Sequence, residues 1–233
     1  MAIDDKDRLV DGPRFLLDQS QKEEIPYVVT VLGRIYDVLP GVFSPKYFTD
    51  TEIFAKCVPI SIGQRFLEIG CGTGVISIEA AFKGARVVCV DINSRAVQNT
   101  LINIKRHDMV GKVDVREGSV FDSVSPDEKF EVIFWNTPFV ISSDAKRGSD
   151  LTPLEKALYD PGYEAIRTYV REGASFLSPE GKQYLGFSST LGKVEDLMAI
   201  VKSEHKKLRL VHNEKDKDGV EFELYEILGS SAP

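Results

Sequence analysis

Three glycines at alternate positions, Gly70, Gly72 and Gly74, lie between two apolar runs in RFLEIGCGTGVISIEAA. Glycine has no Cβ and tolerates positive φ, so the backbone N–H groups of such a loop can approach a ligand closely. A dinucleotide-binding loop reads G-x-G-x-x-G, and here its third glycine position falls on Val75. A P-loop is excluded because no Gly-Lys-Ser/Thr follows. The pattern therefore indicates a backbone cradle of another kind.

An acidic residue follows at a spacing that suits a sugar. The next apolar run, RVVCVD, ends at Asp91, 17 residues beyond Gly74. An ionised carboxylate at the carboxyl end of a strand can accept hydrogen bonds from both hydroxyls of a ribose. Alone, such an aspartate would more often begin a helix, where an anion suits the helix dipole. Beside the glycine loop, the ribose-binding interpretation is favoured.

The G-x-G-x-G run after an acidic residue, here Glu68, resembles the cofactor loop of Rossmann-like S-adenosylmethionine-dependent methyltransferases. The resemblance implies S-adenosylmethionine as cofactor and no bound metal. It also implies that the cofactor is held by Glu68, Gly70, Cys71, Gly72, Gly74, Asp91 and Ile92.

A further cofactor contact in that family follows the strand that corresponds to KVDVREG, where an aspartate commonly meets the adenine amino group. This chain has Ser119 there, which offers a neutral hydrogen bond, and Val120 or Phe121 would cover the ring. Asp122 is the rival for the polar contact, although an aspartate there would equally cap a turn.

The second chemical candidate is Asn136, where the apolar run VIFWNTPFV ends abruptly in an amide. Ligands of open parallel sheets bind outside the carboxyl ends of the strands. There the Asn136 oxygen and a neighbouring backbone carbonyl can accept both N–H bonds of a planar NH₂ group. Pro138 stiffens the turn, and Phe139 offers a flat apolar face. An Asx-type turn formed by Asn136 and Thr137 before the proline is the structural alternative.

NTPF resembles the N-P-P-Y/F motif of methyltransferases that act on amino and amide nitrogen. These include the release-factor glutamine N5, ribosomal RNA guanine N2 and adenine N6 enzymes. The first proline is Thr137 here, whose carbonyl remains available. The resemblance implies that Asn136, Thr137, Pro138 and Phe139 form the catalytic site. It also implies that Asn136 contacts the cofactor.

PGVFSPKYFTDTEIF resembles the lead-in segment of the small-domain and glutamine-modifying methyltransferases, where it lines the cofactor and acceptor pocket. Phe43, Ser44 and Phe48 are candidates on that basis. No histidine falls in a motif. Positioning alone can accelerate methyl transfer to a weak nitrogen nucleophile, so we expect His107, His205 and His212 to be structural or solvated. Trp135 and Tyr163 are expected in the core or a pocket wall.

The elements that must position these residues alternate between short apolar runs and longer amphipathic stretches from Arg65 onward. This pattern predicts an α/β domain with a doubly wound, mostly parallel sheet. We expect helices over 159–177 and 191–204, a turn at 178–181, and a terminal antiparallel hairpin. The resemblance implies seven strands in the order 3-2-1-4-5-7-6. Residues 1–60 are expected to form a helical extension with a pocket-lining loop, including a helix over 25–39, and residues 61–233 the cofactor-binding domain.

Composition sets broader limits. The 233 residues are 42% hydrophobic, enough for one sizeable core, and the net charge of −7 argues against a broad nucleic-acid-binding surface. The N-terminal residues show no apolar signal segment, and Cys57, Cys71 and Cys89 form no C-x-x-C pair. We expect a cytoplasmic protein that does not bind membranes. A protein glutamine or a small molecule is slightly favoured over RNA as the methyl acceptor, and the oligomeric state is open.

Three alternatives remain at this point. The nearest is a methyltransferase of the same fold that acts on a carboxyl or hydroxyl group of a small molecule, which would not use Asn136. The second is a non-catalytic cofactor-binding protein, in which Thr137 marks decay of the acceptor loop. An NAD-dependent enzyme is disfavoured by the glycine spacing.

Overall fold

The N-terminal part of the chain forms a helix, a hairpin and a second helix in the computed structural model, which describes residues 5–140 and 148–229. These elements are α1 (Asp5–Gln21), β1 (Tyr27–Val31), β2 (Arg34–Val38) and α2 (Asp50–Cys57). The predicted helix over 25–39 is therefore wrong, although the segment expected to be a helical extension does contain the two helices α1 and α2. β-Branched residues crowd this segment, and Leu32 and Gly33 both take positive φ, 49° and 76°, as a two-residue hairpin turn demands.

Across the residues that the structure describes, the main sheet has seven strands, and the predicted strand order is confirmed. Five are parallel, and the last two run antiparallel to their neighbours. The spatial order is β5-β4-β3-β6-β7-β9-β8. The strands are β3 (Arg65–Ile69), β4 (Arg86–Asp91), β5 (Val113–Glu117), β6 (Phe130–Asn136), β7 (Leu177–Phe187), β8 (Lys206–Lys215) and β9 (Glu221–Gly229).

In the described part of the chain, four helices cover the sheet: α3 (Val75–Phe82), α4 (Ser94–Arg106), α5 (Glu164–Glu172) and α6 (Val194–Ser203). The helix predicted over 159–177 is shorter, because 3₁₀ turns over Pro161–Tyr163 and Gly173–Phe176 flank α5. The turn predicted at 178–181 lies inside β7. There the pairing with β6 jumps from Phe130↔Leu177 to Val132↔Lys182, so these residues bulge out of the ladder.

The topology brings two chemical motifs to one edge of the sheet. Strand β3 pairs with β4 on one side and β6 on the other, in a register that aligns Ile69 with Val90 and with Trp135. The glycine loop, Asp91 and Asn136 come directly after these aligned residues. They therefore share the carboxyl-terminal edge at the point where the strand order reverses.

Helix α2 belongs to the same core as the sheet. The Phe54 ring lies 5.5 Å from the Phe134 ring and 6.3 Å from the Phe222 ring, and all three side chains are buried. A Cβ on Gly186 would lie 2.7 Å from the Phe54 ring, so the helix packs directly on the backbone of β7. The start of α2 is thus held at the end of β6. Within the described ranges, 5–140 and 148–229, we find no helix with the length and apolarity required to span a membrane.

Candidate active site

The glycine loop is shaped by positive φ angles and by close packing. Gly70, Gly72 and Gly74 have φ of 67°, 56° and 80°. A residue with a Cβ would be strained in these conformations. A Cβ on Gly70 would lie 2.8 Å from Trp135 Nε1, and one on Gly74 would lie 2.8 Å from Thr100 Cγ2. The loop therefore needs glycine at both ends, for space as well as for conformation.

Three predicted cofactor residues, Glu68, Cys71 and Gly74, do not line the crevice that opens in front of this loop. The side chains of Glu68 and Cys71 are buried behind the loop. Glu68 is 2% exposed and accepts a hydrogen bond from the Ser77 hydroxyl on α3. Burial raises the pKa of Glu68 to about 8, and the Asp91 charge adds to the effect. The Cys71 thiol lies 3.5 Å from Thr100 Oγ1, and contact with Cys89 together with burial raises its pKa. Both side chains support the loop from below.

Asp91 joins the ends of two neighbouring strands. Its Oδ2 accepts a hydrogen bond of 2.8 Å from the Gly72 N–H, and its Oδ1 accepts one of 2.9 Å from the Asn93 N–H. Burial raises the pKa of Asp91 to about 6, while the two N–H donors oppose that rise. Each carboxylate oxygen keeps a second lone pair, which can accept from a ribose hydroxyl.

A crevice of about 300 Å³ opens in front of the loop and Asp91. The predicted residues in its wall are Gly70, Gly72, Asp91, Ile92, Ser119, Val120, Asn136 and Pro138. Trp135 also lines the crevice, in agreement with its expected position in the core or a pocket wall. Asp122 is exposed, and Phe121 turns into the core, where its ring stacks on Phe176 at 4.6 Å.

The opposite wall of the crevice comes from the segment between β6 and α5, which the sequence analysis missed. Its wall residues are Leu151, Pro153, Lys156, Ala157, Tyr159, Asp160, Pro161, Glu164 and Ala165. Asp160 Oδ2 accepts from the Ile166 N–H at 2.9 Å, which caps the start of α5. The Asp-Pro-Gly run at 160–162 is the one local signal of this turn, and it carries no information about a ligand.

Asn136 ends β6 with its carboxamide oriented by one partner. Nδ2 donates to Asp50 Oδ2 at 2.8 Å. Oδ1 is buried and accepts no hydrogen bond from the part of the chain that the structure describes. Buried polar atoms are nearly always paired, so this unpaired acceptor is unusual, and it belongs to a residue that lines the crevice.

Thr137 holds the loop in place of a proline. Its N–H and its hydroxyl both donate to the Gly186 carbonyl on β7, at 3.3 Å and 2.7 Å. Its own carbonyl accepts from the Phe139 N–H at 3.0 Å across Pro138, which leaves one lone pair. Two hydrogen bonds thus supply rigidity that a second proline ring would otherwise provide.

A second cavity of about 520 Å³ lies on the other side of this loop. Thr137, Phe139 and Asp50 line it, whereas Asn136 and Pro138 line the first crevice. Phe43 and Ala157 border both cavities. The NTPF loop is therefore the partition between two adjacent spaces.

The aromatic candidates separate into wall and scaffold. Phe43 and Phe48 stack with centroids 4.3 Å apart, and both line the second cavity. Ser44 is fully buried and turns away from both cavities, because its hydroxyl oxygen accepts from the Tyr27 hydroxyl at 2.7 Å. Phe139 packs against Phe187 at 5.6 Å.

The remaining polar aromatics, Tyr163 and the three histidines, line neither of the two cavities. The Tyr163 hydroxyl donates to the Phe139 carbonyl at 2.8 Å and thereby braces the loop. His107 packs 4.7 Å from the Tyr36 ring, and burial lowers its pKa. His205 is exposed, and His212 lies on the edge strand β8.

Comparison with known proteins decides the family. The profile described as "Methyltransferase small domain" matches residues 35–152, about half of the 233-residue chain. The chain belongs to this family. The match covers β2, α2, the glycine loop, Asp91 and the NTPF partition. The resemblance inferred from the motifs is confirmed, and the protein is an S-adenosylmethionine-dependent methyltransferase.

Two sequence relatives extend beyond that region. A Methanocaldococcus jannaschii protein, provisionally named a protein N5-glutamine methyltransferase, is 28% identical over 73% of this chain and 84% of its own length. The release factor glutamine methyltransferase of Aquifex aeolicus is 28% identical over 76% of this chain and 67% of its own.

Solved structures agree on the fold. The T. thermophilus 16S rRNA N2 G1207 methyltransferase, in complex with AdoMet and guanosine, superposes with a TM-score of 0.64. It is 18% identical, and the match covers 88% of this methyltransferase and 50% of that chain. At this identity the likeness shows the Rossmann-like fold alone.

Proposed function

We propose that this methyltransferase transfers a methyl group to a planar amide nitrogen, and that the acceptor is a protein glutamine. The observation that carries the proposal is the buried, unpaired Oδ1 of Asn136 at the partition between the two cavities. An acceptor NH₂ group is the complement of such an oxygen, because it brings N–H donors and no charge.

In this proposal the cofactor occupies the crevice in front of the glycine loop, and the crevice residues fit it. Gly70 and Gly72 allow close approach of the backbone, Asp91 accepts from the ribose hydroxyls, and Ser119 and Val120 meet the adenine. S-adenosylmethionine supplies an electrophilic methyl group on a sulfonium. The chain's task is to aim a nitrogen at that carbon.

The acceptor amide enters from the second cavity. Asn136 Oδ1 and the free lone pair of the Thr137 carbonyl accept its two N–H bonds and hold its plane against Phe139. With S-adenosylmethionine bound, its methyl group would pass to this nitrogen and S-adenosylhomocysteine would be the product. The extra proton on the nitrogen would go to water. Orientation and the two acceptors provide the acceleration, without a strong general base.

A protein acceptor is preferred for two reasons. Two relatives that align with 73% and 76% of this chain are named for glutamine methylation. In addition, the net charge of −7 disfavours a polyanionic partner. We also propose a cytoplasmic location, because the three cysteines are free thiols and such thiols suit a reducing compartment.

The test is transfer of label from tritiated S-adenosylmethionine to proteins of a cell extract, followed by separate digestion with protease and ribonuclease. The proposal predicts protease-sensitive label that mass spectrometry locates on glutamine side chains. Ribonuclease-sensitive label would contradict the protein acceptor and favour a guanine or adenine nitrogen. Label recovered in small molecules, as methyl esters of carboxyl groups or methyl ethers of hydroxyl groups, would contradict transfer to nitrogen. Cofactor binding with no transfer to any fraction would favour the non-catalytic alternative.

A further inference from the structure

An asparagine side chain has a donor end and an acceptor end of nearly equal size, so a site built on Asn136 must prevent the carboxamide from turning over. The contact with Asp50 performs this task. Asp50 Oδ2 receives the Asn136 Nδ2 donor at 2.8 Å, and Oδ1 receives the Thr51 N–H at 2.9 Å. The Asp50 side chain is thereby held at both oxygens.

We propose that Asp50 is a positioning residue for methyl transfer, which keeps Asn136 Oδ1 directed at the acceptor N–H. This inference rests on the proposed function. A carboxylate only accepts hydrogen bonds, so it binds Nδ2 and rejects Oδ1. Asp50 is 5% exposed and sits at the first residue of α2, which Phe54 fixes to the sheet. The orientation is therefore set by a rigid neighbour before the acceptor arrives.

The position of Asp50 separates its effect from cofactor binding. Asp50 lines the second cavity together with Thr137 and Phe139, whereas Gly70, Gly72 and Asp91 line the crevice. Loss of the Asp50 carboxylate should therefore change turnover and leave the affinity for S-adenosylmethionine unchanged.

Protonation gives the contact a pH dependence. A protonated Asp50 carboxyl is a donor and would donate to Asn136 Oδ1. The Asn136 carboxamide would then turn over and present Nδ2 to the methyl acceptor, and two N–H donors cannot form a hydrogen bond with each other. Burial raises the pKa of Asp50 to about 6, and the Asp216 charge at the tip of the β8–β9 hairpin adds to this. The other charged side chains on the described wall of this cavity are Lys46, Lys217 and Asp218. The competent orientation is thus present above about pH 6 and lost as pH falls below it.

The test measures kcat at saturating cofactor and acceptor between pH 5 and 8, with the glutamine substrate identified above or a peptide that contains it. Titration calorimetry gives the cofactor Kd of each variant. Saturation with cofactor removes the contribution of Asp91 to cofactor affinity. The variants are Asp50→Asn, which keeps the side-chain volume, and the exchange Asp50→Asn with Asn136→Asp.

We expect Asp50→Asn to lower kcat at pH 8 roughly tenfold, to flatten the acid limb and to leave the cofactor Kd within about threefold. The exchange variant should recover part of the loss. In it, residue 50 donates to one oxygen of residue 136, and the other oxygen accepts from the substrate.

Wild-type kcat and an unchanged acid limb in Asp50→Asn would overturn the inference. A parallel loss of cofactor affinity and thermal stability in that variant, without recovery in the exchange, would also overturn it, since this result indicates a purely structural contact. Failure of the proposed function is distinguishable. In that case Asn136→Ala as well as Asp50→Asn keeps wild-type turnover on the true acceptor.

Discussion

The Gly72 N–H donates to Asp91 Oδ2 across 2.8 Å, which joins the glycine loop to the end of the neighbouring strand. The contact fixes the carboxylate that we assign to the ribose, and it fixes the loop that we assign to the rest of the cofactor. A preorganised pair of this kind lowers the ordering cost of binding. It also makes cofactor affinity sensitive to the charge on Asp91.

Asp91→Asn should weaken S-adenosylmethionine binding by roughly 10- to 100-fold, since hydrogen bonds to a charged acceptor contribute about 1.5–3 kcal/mol. The amide also offers N–H groups where Gly72 and Asn93 already donate. Isothermal titration measures the change. Asp122→Asn is the matched control because that aspartate is exposed nearby. An equal loss in both variants would contradict the ribose assignment.

The pKa of Asp91, raised to about 6 by burial, gives the same assignment a pH test. The acceptor form of the carboxylate prevails above about pH 6, so cofactor affinity should fall as pH drops through that value. Titrations between pH 5 and 8 should show this slope in the wild type and a much smaller slope in Asp91→Asn. A flat wild-type profile would mean that the carboxylate does not bind the cofactor.

Gly70→Ala should abolish measurable cofactor binding and lower the melting temperature. Its Cβ would lie 2.8 Å from Trp135 Nε1, in addition to the strain of φ 67°. Gly63→Ala provides the control, because Gly63 has φ 83° and an added Cβ there meets nothing within 4 Å. The control should lose only about 1–2 kcal/mol of stability from backbone strain and retain the cofactor Kd. Equal effects on binding would show that the close approach to Trp135 is unimportant.

Glu68→Gln should change the pH dependence of stability. Burial raises the pKa of Glu68 from its ordinary value of 4.5 to about 8 in the folded protein, so the native state binds more protons between these pH values. The stability from this group is fully present below about pH 4.5 and is lost as pH rises through about 8. Melting temperatures of wild type and variant should therefore agree near pH 4.5, and the variant should be more stable at pH 9. A constant difference at both pH values would contradict a protonated, buried Glu68.

Thr137→Pro restores the first proline of the N-P-P-Y/F motif and tests whether Thr137 is an adequate replacement for it. The replacement removes both donors to the Gly186 carbonyl, so we expect a loss of roughly 1–3 kcal/mol of stability. Thr137→Val removes the hydroxyl bond alone and should lose about 1 kcal/mol. Turnover should remain within a few-fold in both variants because the Thr137 carbonyl is retained. A large gain of activity in Thr137→Pro would show that threonine impairs the acceptor loop.

The sheet and its order were predictable because the signals are local and repeated. Short apolar strands alternate with amphipathic helices, and the glycine loop marks the first crossover from β3 into α3. The segment 25–39 misled the same reasoning, since its apolar residues fit both periodicities. The positive φ angles at Leu32 and Gly33 and the β-branched residues of β1 favour the hairpin over a helix.

The hairpin is also held by contacts that no local pattern reveals. Asn99 and Asn103 on α4 bind the backbone of β2 and the residue after it, through the Asp37 carbonyl and the Leu39 N–H among others. These bonds span about 60 residues of sequence, with separations of 60, 62 and 66. Tertiary hydrogen bonds of this kind override helical periodicity.

The site was predictable at the ends of strands and not in the connections between them. Asn136 and Asp91 follow from strand position, yet the wall at 151–163 consists of turns and short 3₁₀ segments without a periodic signal. The partner of Asn136 was missed because Asp50 is 86 residues distant in sequence and reads as an ordinary first-turn acid of α2. The burial of Glu68 and Cys71 was also not predictable, because it depends on contacts with Ser77 on α3 and Thr100 on α4.

The most direct test of the account is single-turnover methyl transfer by Asn136→Ala, with enzyme and labelled cofactor in excess over the glutamine substrate. Asn213→Ala, an exposed asparagine on β8, is the matched control, and calorimetry confirms that each variant binds S-adenosylmethionine. We predict a rate at least 100-fold below wild type for Asn136→Ala, consistent with loss of one oriented acceptor, and a wild-type rate for the control. Full transfer by an Asn136→Ala enzyme that binds its cofactor normally would contradict the central claim.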